Sequence, residues 1–146
     1  MFEPVVKFVL KDYGYEPTKA YKEDACFDLY IPMEYNKHLE KVSKCGFILD
    51  TGVRFDIPRG YYIRVVGRSS SFKKGIIVHE GIIDQGYTGS IRIMFSMINP
   101  NDVFKLQSKD RIAQFMLSKV HNERLKQVTK IKNKPRGCNG FGSTGT

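Results

Sequence analysis

Hydrophobic residues in this chain recur at every second position far more often than at every third or fourth. Val53-Arg54-Phe55-Asp56-Ile57 alternates until Pro58-Arg59-Gly60 stops it. Period two sends successive side chains to opposite faces of a strand, so such a run calls for a sheet with one buried face. Phe47–Ile57, Tyr61–Val66, Ser90–Ile98, Val103–Leu106 and Phe115–Val120 all read as strands, rich in β-branched and aromatic residues. Asn99-Pro100-Asn101-Asp102 marks a turn between two of them. A short helical turn near Ser71–Lys74 is the most helix the pattern allows. Many short strands at regular spacing predict an all-β domain, a jelly-roll-like barrel or sandwich. The alternation weakens after about Val120, which predicts a β domain over 1–122 and a basic arm over 123–146.

Composition narrows the classes. A chain of 146 residues, 41% hydrophobic and 27% charged, is expected to form one soluble domain with a real core. No apolar run approaches the roughly 18 residues that span a bilayer, and Glu3, Pro4 and Lys7 interrupt the first ten residues, so neither a membrane span nor a secretory signal is expected. Cys26, Cys45 and Cys138 are odd in number and lack C-x-x-C spacing. That argues against a disulfide framework or a zinc site and for the cytoplasm, or the host-cell cytoplasm or nucleus for a viral source. His38, His79 and His121 are isolated, with no ligand spacing around them. The net charge of +9 points to an anionic partner. Its densest stretch, Arg124 to Arg136, holds Lys126, Lys130, Lys132 and Lys134. Aromatic residues are not interleaved there, which argues against a nucleic-acid stacking groove.

Five segments carry chemistry that a plain sandwich does not need. Gly140-Phe141-Gly142-Ser143-Thr144-Gly145 satisfies G-x-G-x-x-G, yet only Thr146 follows, with no helix to receive a pyrophosphate. Its glycines, hydroxyls and ring suit a tail that wraps phosphates in backbone N–H groups while Phe141 covers a flat ring. Gly67-Arg68-Ser69-Ser70-Ser71 sets a guanidinium, a bidentate phosphate binder, beside consecutive hydroxyls. Gly81-Ile82-Ile83-Asp84-Gln85-Gly86-Tyr87-Thr88-Gly89 reads as a glycine-bracketed hairpin whose tip offers a carboxylate and an aromatic ring. Such a carboxylate can act as a general base on water, and the ring can pack against a sugar. Asp110-Arg111-Ile112-Ala113-Gln114 opens a strand with a further cation and an amide. Ala25-Cys26-Phe27-Asp28-Leu29-Tyr30 sets one carboxylate in an apolar run, where it needs a partner or a site to serve.

In this set and order the segments resemble the five motifs of the trimeric dUTPases, over Ala25 to Gly145. The resemblance implies a jelly-roll homotrimer with shared active sites and a mobile glycine-rich C-terminal arm. It implies hydrolysis of dUTP to dUMP and pyrophosphate, which limits uracil incorporation into DNA and supplies dUMP for thymidylate synthesis. Asp84 would activate the water that attacks the α-phosphorus. Tyr87 would pack on the deoxyribose and exclude a 2′-hydroxyl, and Gly81, Ile82 and Ile83 would read the uracil edge. Arg68, Ser69, Ser70, Arg92 and Gln114 would bind substrate, with Phe141 over the uracil and Arg136, Gly142, Ser143 and Thr144 closing on the phosphates. Mg²⁺ would be held mainly by phosphates and water, with Asp28 acting through a water, as suits an ion that keeps its hydration shell.

Ser70 and Cys26 stand where the family usually has glycine, and neither change removes a group the chemistry needs. The related deoxycytidine triphosphate deaminases share the pattern at Gly67–Ser70 and Ile83–Gly86. They need a glutamate ten residues past the aspartate and usually a tryptophan at position 87. This chain has Met94 and Tyr87 there and no tryptophan at all. Methionine moves no proton, so deamination lacks its acid–base group.

Overall fold

The computed structural model describes residues 3–142. Its strands are β1 (Lys7–Leu10), β2 (Phe27–Tyr30), β3 (Leu39–Lys41), β4 (Gly46–Asp56), β5 (Tyr61–Gly67), β6 (Ile76–Val78), β7 (Gly81–Ile83), β8 (Ser90–Met97) and β9 (Arg111–Lys119), with one short helix, α1 (Ser69–Lys73). One sheet runs β1-β4-β8-β6, with β3 also on β4; the other runs β2-β9-β5-β7. All strand pairs are antiparallel, and the two sheets enclose the core in a jelly-roll-like fold.

The predicted alternation is why the sheets stack as they do. Phe47, Leu49, Thr51, Val53 and Phe55 of β4 point inward, where they meet Ile91, Ile93 and Phe95 of β8 and Ile63, Ile112 and Phe115 of the facing sheet. Phe47 stacks on Phe95 at 5.5 Å and Phe55 tilts onto Phe115 at 4.8 Å, offset geometries that aromatic quadrupoles favour. Between Asp50 and Arg54 the register slips: four steps along β4 match two along β8, from Arg92 to Ser90. The surplus is two residues, an even number, so β4 keeps its inward phase through the irregularity. Thr51 lies within it, fully buried, and its hydroxyl donates to the Ile91 carbonyl at 2.7 Å.

Two local expectations are corrected. Val103–Leu106 is not a strand but the end of a 3-10 helix over Pro100–Lys105. Pro100 opens that helix, and the Asn99 side chain caps it by accepting from the Asn101 amide at 3.2 Å. Val103 and Leu106 are buried all the same, so the apolar positions were real and their period was not. The segment over 81–89 is likewise no hairpin. β7 pairs with β5 and β8 with β4 and β6, so the chain turns from one sheet into the other. Beyond Val120 the described residues form no helix or strand, and 121–139 are exposed throughout.

Candidate active site

The carboxylate in the apolar run has its partners. Asp28 lies on β2 opposite Gln114 of β9. Its side chain is only 14% exposed and receives Arg68 Nε at 2.8 Å and Arg111 Nε at 3.6 Å. A half-buried carboxylate flanked by two guanidiniums is satisfied without ligand, and it fixes both cations in place. Arg68 also donates from Nη1 to the Ser70 hydroxyl at 2.8 Å. A guanidinium carries five N–H donors, so donors remain for an anion. Gln114 donates to the Gly67 carbonyl at 3.0 Å, and the buried Ser71 hydroxyl ties α1 to the Ile112 carbonyl at 2.9 Å.

These groups surround an open polar cleft of about 430 Å³ lined by residues 20, 24–26, 28, 68–70, 111 and 114. Three segments far apart in sequence thus converge because β2, β9 and β5 are neighbours in one sheet. Burial pushes the Cys26 thiol on the cleft wall upward, with Asp28 adding to the shift and Lys19 opposing it. At the rim, burial raises the Tyr30 phenol, but hydrogen bonds with Thr18 and Arg111 outweigh it and leave Tyr30 below its usual range.

The turn after β7 has its own construction. The Tyr87 amide donates to the Asp84 carbonyl at 3.0 Å, closing a four-residue turn that leaves the Asp84 side chain exposed. The Tyr87 hydroxyl donates to the Ser90 carbonyl at 2.8 Å, which lays the ring over Gly89. A Cβ at position 89 would meet Tyr87 Oη at 2.7 Å and Cζ at 2.8 Å, so a side chain there would push the ring off its place. Arg54 Nε anchors the far side of the turn on the Thr88 carbonyl at 2.7 Å. β7 is an edge strand, so one side of the Gly81–Ile83 backbone keeps its N–H and C=O groups free of sheet pairing.

Not all the expected site residues meet on one subunit. Asp28, Arg68, Ser69, Ser70 and Gln114 line the cleft; Asp84 and Tyr87 occupy the turn. Arg92 sits on the outward face of β8, opposite Asp50 in the register. Arg136 donates to the Asn139 carbonyl at 2.8 Å, and Phe141 is fully exposed at a positive φ of 50°. Gly142 has the left-handed φ of 81° that glycine tolerates. Ser143 and Thr144 lie outside the described residues. Sequence reading had singled out Arg111 only as a further cation, though it shares Asp28 with Arg68. It had no signal for the 20–24 loop that walls the cleft, held by the Tyr21 amide on Asp24 Oδ2 at 3.0 Å.

Comparison with known proteins agrees with this picture. A family model described as dUTPase matches residues 12–145. The deoxyuridine 5'-triphosphate nucleotidohydrolase of Candida glabrata is 32% identical over 145 residues, covering 97% of this chain and 96% of that protein. The Pol polyprotein of Equine infectious anemia virus is 33% identical over 123 residues, 84% of this chain, and the match spans 10% of the polyprotein's length. The structure of Staphylococcus bacteriophage 80alpha dUTPase with dUPNHPP superposes with a TM-score of 0.79 at 22% identity, over 97% of this chain and 99% of that one.

Proposed function

The chain belongs to the dUTPase family, and from that premise we propose that it hydrolyses dUTP to dUMP and pyrophosphate, with its sites completed in a homotrimer. The observation that carries the reading is the cleft in which Asp28 holds Arg68 and Arg111 among Ser69, Ser70 and Gln114. A triphosphate needs several directed donors and fixed positive charge, and two guanidiniums with free N–H groups supply both.

Each remaining part has a task for which the geometry is suited. The unpaired backbone edge over Gly81, Ile82 and Ile83 can pair with the uracil edge, as an added strand would. Because the Tyr87 hydroxyl is committed to Ser90, Tyr87 offers its ring face to the deoxyribose and leaves no space for a 2′-hydroxyl. Asp84, exposed on the same turn, is the general base that takes a proton from the attacking water. Arg92 belongs to the substrate-binding set from the outer face of β8. Residues 1–122 form the body, and 123–146 form a basic arm whose end acts as the lid. Phe141 covers the uracil, and Arg136, Gly142, Ser143 and Thr144 close on the phosphates. The cleft's lining comes from the 20–24 loop and the first, second and fourth motifs, while Leu125, Ile131 and Phe141 of the arm stand fully or almost fully exposed, which supports completion by neighbouring subunits.

The donor set fits Mg²⁺ bound chiefly through substrate. No cluster of three or more ligating side chains exists among the described residues, and the Asp28 carboxylate at the cleft is engaged with two arginines. That leaves Asp28 suited to accept from a metal-bound water. When bound, Mg²⁺ would supply charge neutralisation along the triphosphate.

Pyrophosphate release from dUTP with Mg²⁺, run beside dCTP, dTTP and UTP with ammonia followed in the dCTP sample, tests the proposal. Turnover confined to dUTP is the expected result. Ammonia from dCTP would assign the chain to the deaminases, and silence on all four would make it a binding or regulatory protein.

A further inference from the structure

A network outside the five motifs meets the base of the turn that carries Tyr87. The Asp50 carboxylate accepts from three directions: the Tyr13 hydroxyl at 2.8 Å on Oδ2, and the Gly52 amide at 2.9 Å together with the Ser90 hydroxyl on Oδ1. The Gly52 amide also reaches the Ser90 hydroxyl at 3.2 Å. Behind it, the Tyr13 ring stacks on His38 with centroids 3.6 Å apart. Gly52, at a φ of 73°, admits no side chain, since a Cβ would meet the Gly14 Cα and the Tyr13 ring at 2.9 Å. The network gathers on the irregular stretch of β4 between Asp50 and Arg54, whose other end anchors the Thr88 carbonyl.

Ser90 therefore has two engagements. Its hydroxyl is fixed by Asp50, and its carbonyl receives the Tyr87 hydroxyl. A phenol hydrogen-bonded to a carbonyl takes its direction from that carbonyl, so the ring plane of Tyr87 depends on how residue 90 is held. The same turn is tied to β4 at Thr88 and Ser90, and both ties come from the two ends of one strand irregularity. Irregularities of this kind commonly re-aim a side chain next to a site.

We propose that Asp50 and Ser90 are positioning residues for sugar recognition: they fix the carbonyl that orients the Tyr87 ring, and so set discrimination against a 2′-hydroxyl. The inference rests on the role given to Tyr87 above. Neither residue touches substrate; each acts through Tyr87. Small displacements of a positioning group have large kinetic effects, so the expected consequence is a loss of selectivity greater than the loss of turnover.

The test compares kcat/KM for dUTP and UTP in the wild-type protein, Tyr87→Ala, Ser90→Ala and Asp50→Asn, with melting temperatures measured alongside. Ser90→Ala keeps the carbonyl and removes only the hydroxyl, and is expected to lower the dUTP-to-UTP ratio by about tenfold, chiefly through a rise in kcat/KM for UTP. Asp50→Asn is expected to move the ratio the same way; if it does not fold, Ser90→Ala decides alone. A ratio that falls in Tyr87→Ala but stays at the wild-type value in Ser90→Ala, even with a lowered melting temperature, overturns the inference and leaves the reading of Tyr87 intact. A ratio unmoved in Tyr87→Ala overturns the reading itself, and the inference with it.

Discussion

The phosphate cleft and the C-terminal arm are both assigned to one triphosphate, yet they obtain their order from opposite sources. In the cleft the key polar side chains are held by partners within the same chain: Arg68 by Asp28 and Ser70, Gln114 by Gly67, and α1 by Ser71 on Ile112. In the arm, hydrogen bonds stay local, as in Gly137 to Lys134 and Asn139 to Arg136, while residues 121–139 stand exposed. The cleft loses little conformational entropy on binding. Under the proposed closure, ordering the arm would cost on the order of 1–2 kcal/mol per residue of backbone. With the roles proposed above, a preorganised half for recognition and an arm for closure, binding and turnover should be separable by mutation.

The sharpest separation is expected at Asp84. Asp84→Asn keeps the turn's size and backbone, and should lower kcat by about 10²–10⁴-fold while nucleotide binding is nearly retained. Single-turnover kinetics beside equilibrium titration with a non-hydrolysable analogue would check this; near wild-type turnover would remove the general-base role. Deleting 140–146 should come next, with a loss of about 10²-fold in turnover, since closure excludes water and aligns the phosphates. The same deletion should leave the melting temperature of the body unchanged, and unaltered kinetics would end the lid assignment.

Changes in the cleft should behave the other way round. Arg68→Ala removes the charge-assisted contact proposed for phosphate and leaves Asp28 with Arg111 alone, at 3.6 Å. An affinity loss of about 1.5–3 kcal/mol is expected, with a melting temperature that also falls. Calorimetric titration and thermal unfolding on one sample would show both. If Arg68→Ala and the truncation gave the same profile, the contrast between a preformed cleft and an arm ordered on closure would collapse.

Much of this was legible in sequence because the site is written in an unusual set of residues. Arg68 followed by serines, the glycines around Asp84 and Tyr87, and a lone Asp28 among apolar neighbours are ordinary one by one and stand out only together and in this order. The sheets were legible because β4 alternates for most of its length. What escaped depends on partners distant in sequence. Val103–Leu106 has the apolar content of a strand, and only Asn99 and Pro100 upstream commit it to a 3-10 helix. The turn over 84–87 looked like a hairpin because nothing local reveals that β7 pairs with β5 instead of β8. Asp50 reads as an ordinary outward residue of an alternating strand, and its partners Tyr13 and Ser90 lie 37 and 40 positions away.

Asp50 also yields the smallest expected effect, one in which the body alone should respond to acid. Burial raises its carboxyl, but hydrogen bonds from Ser90, Gly52 and Tyr13, with the charge of Lys11, outweigh that and hold it below the usual carboxylate range. The groups around it are Tyr13, whose phenol burial and Asp50 push up to about 12, His38 stacked on that ring, Lys11, and Arg92 across the register. A depressed folded-state value means that ionised Asp50 stabilises the fold above its unfolded pKa, near 4. That contribution fades as pH falls through the lower folded-state value. Asp50→Asn should therefore be less stable than wild type at neutral pH, and the gap should narrow progressively below about pH 4. Urea unfolding from pH 7 down to pH 3 would trace it. Truncation of 140–146 should leave the wild-type acid profile where it is, because none of the arm's described residues shares these bonds. A truncated protein that lost the acid response would show that the arm, too, helps hold the body together.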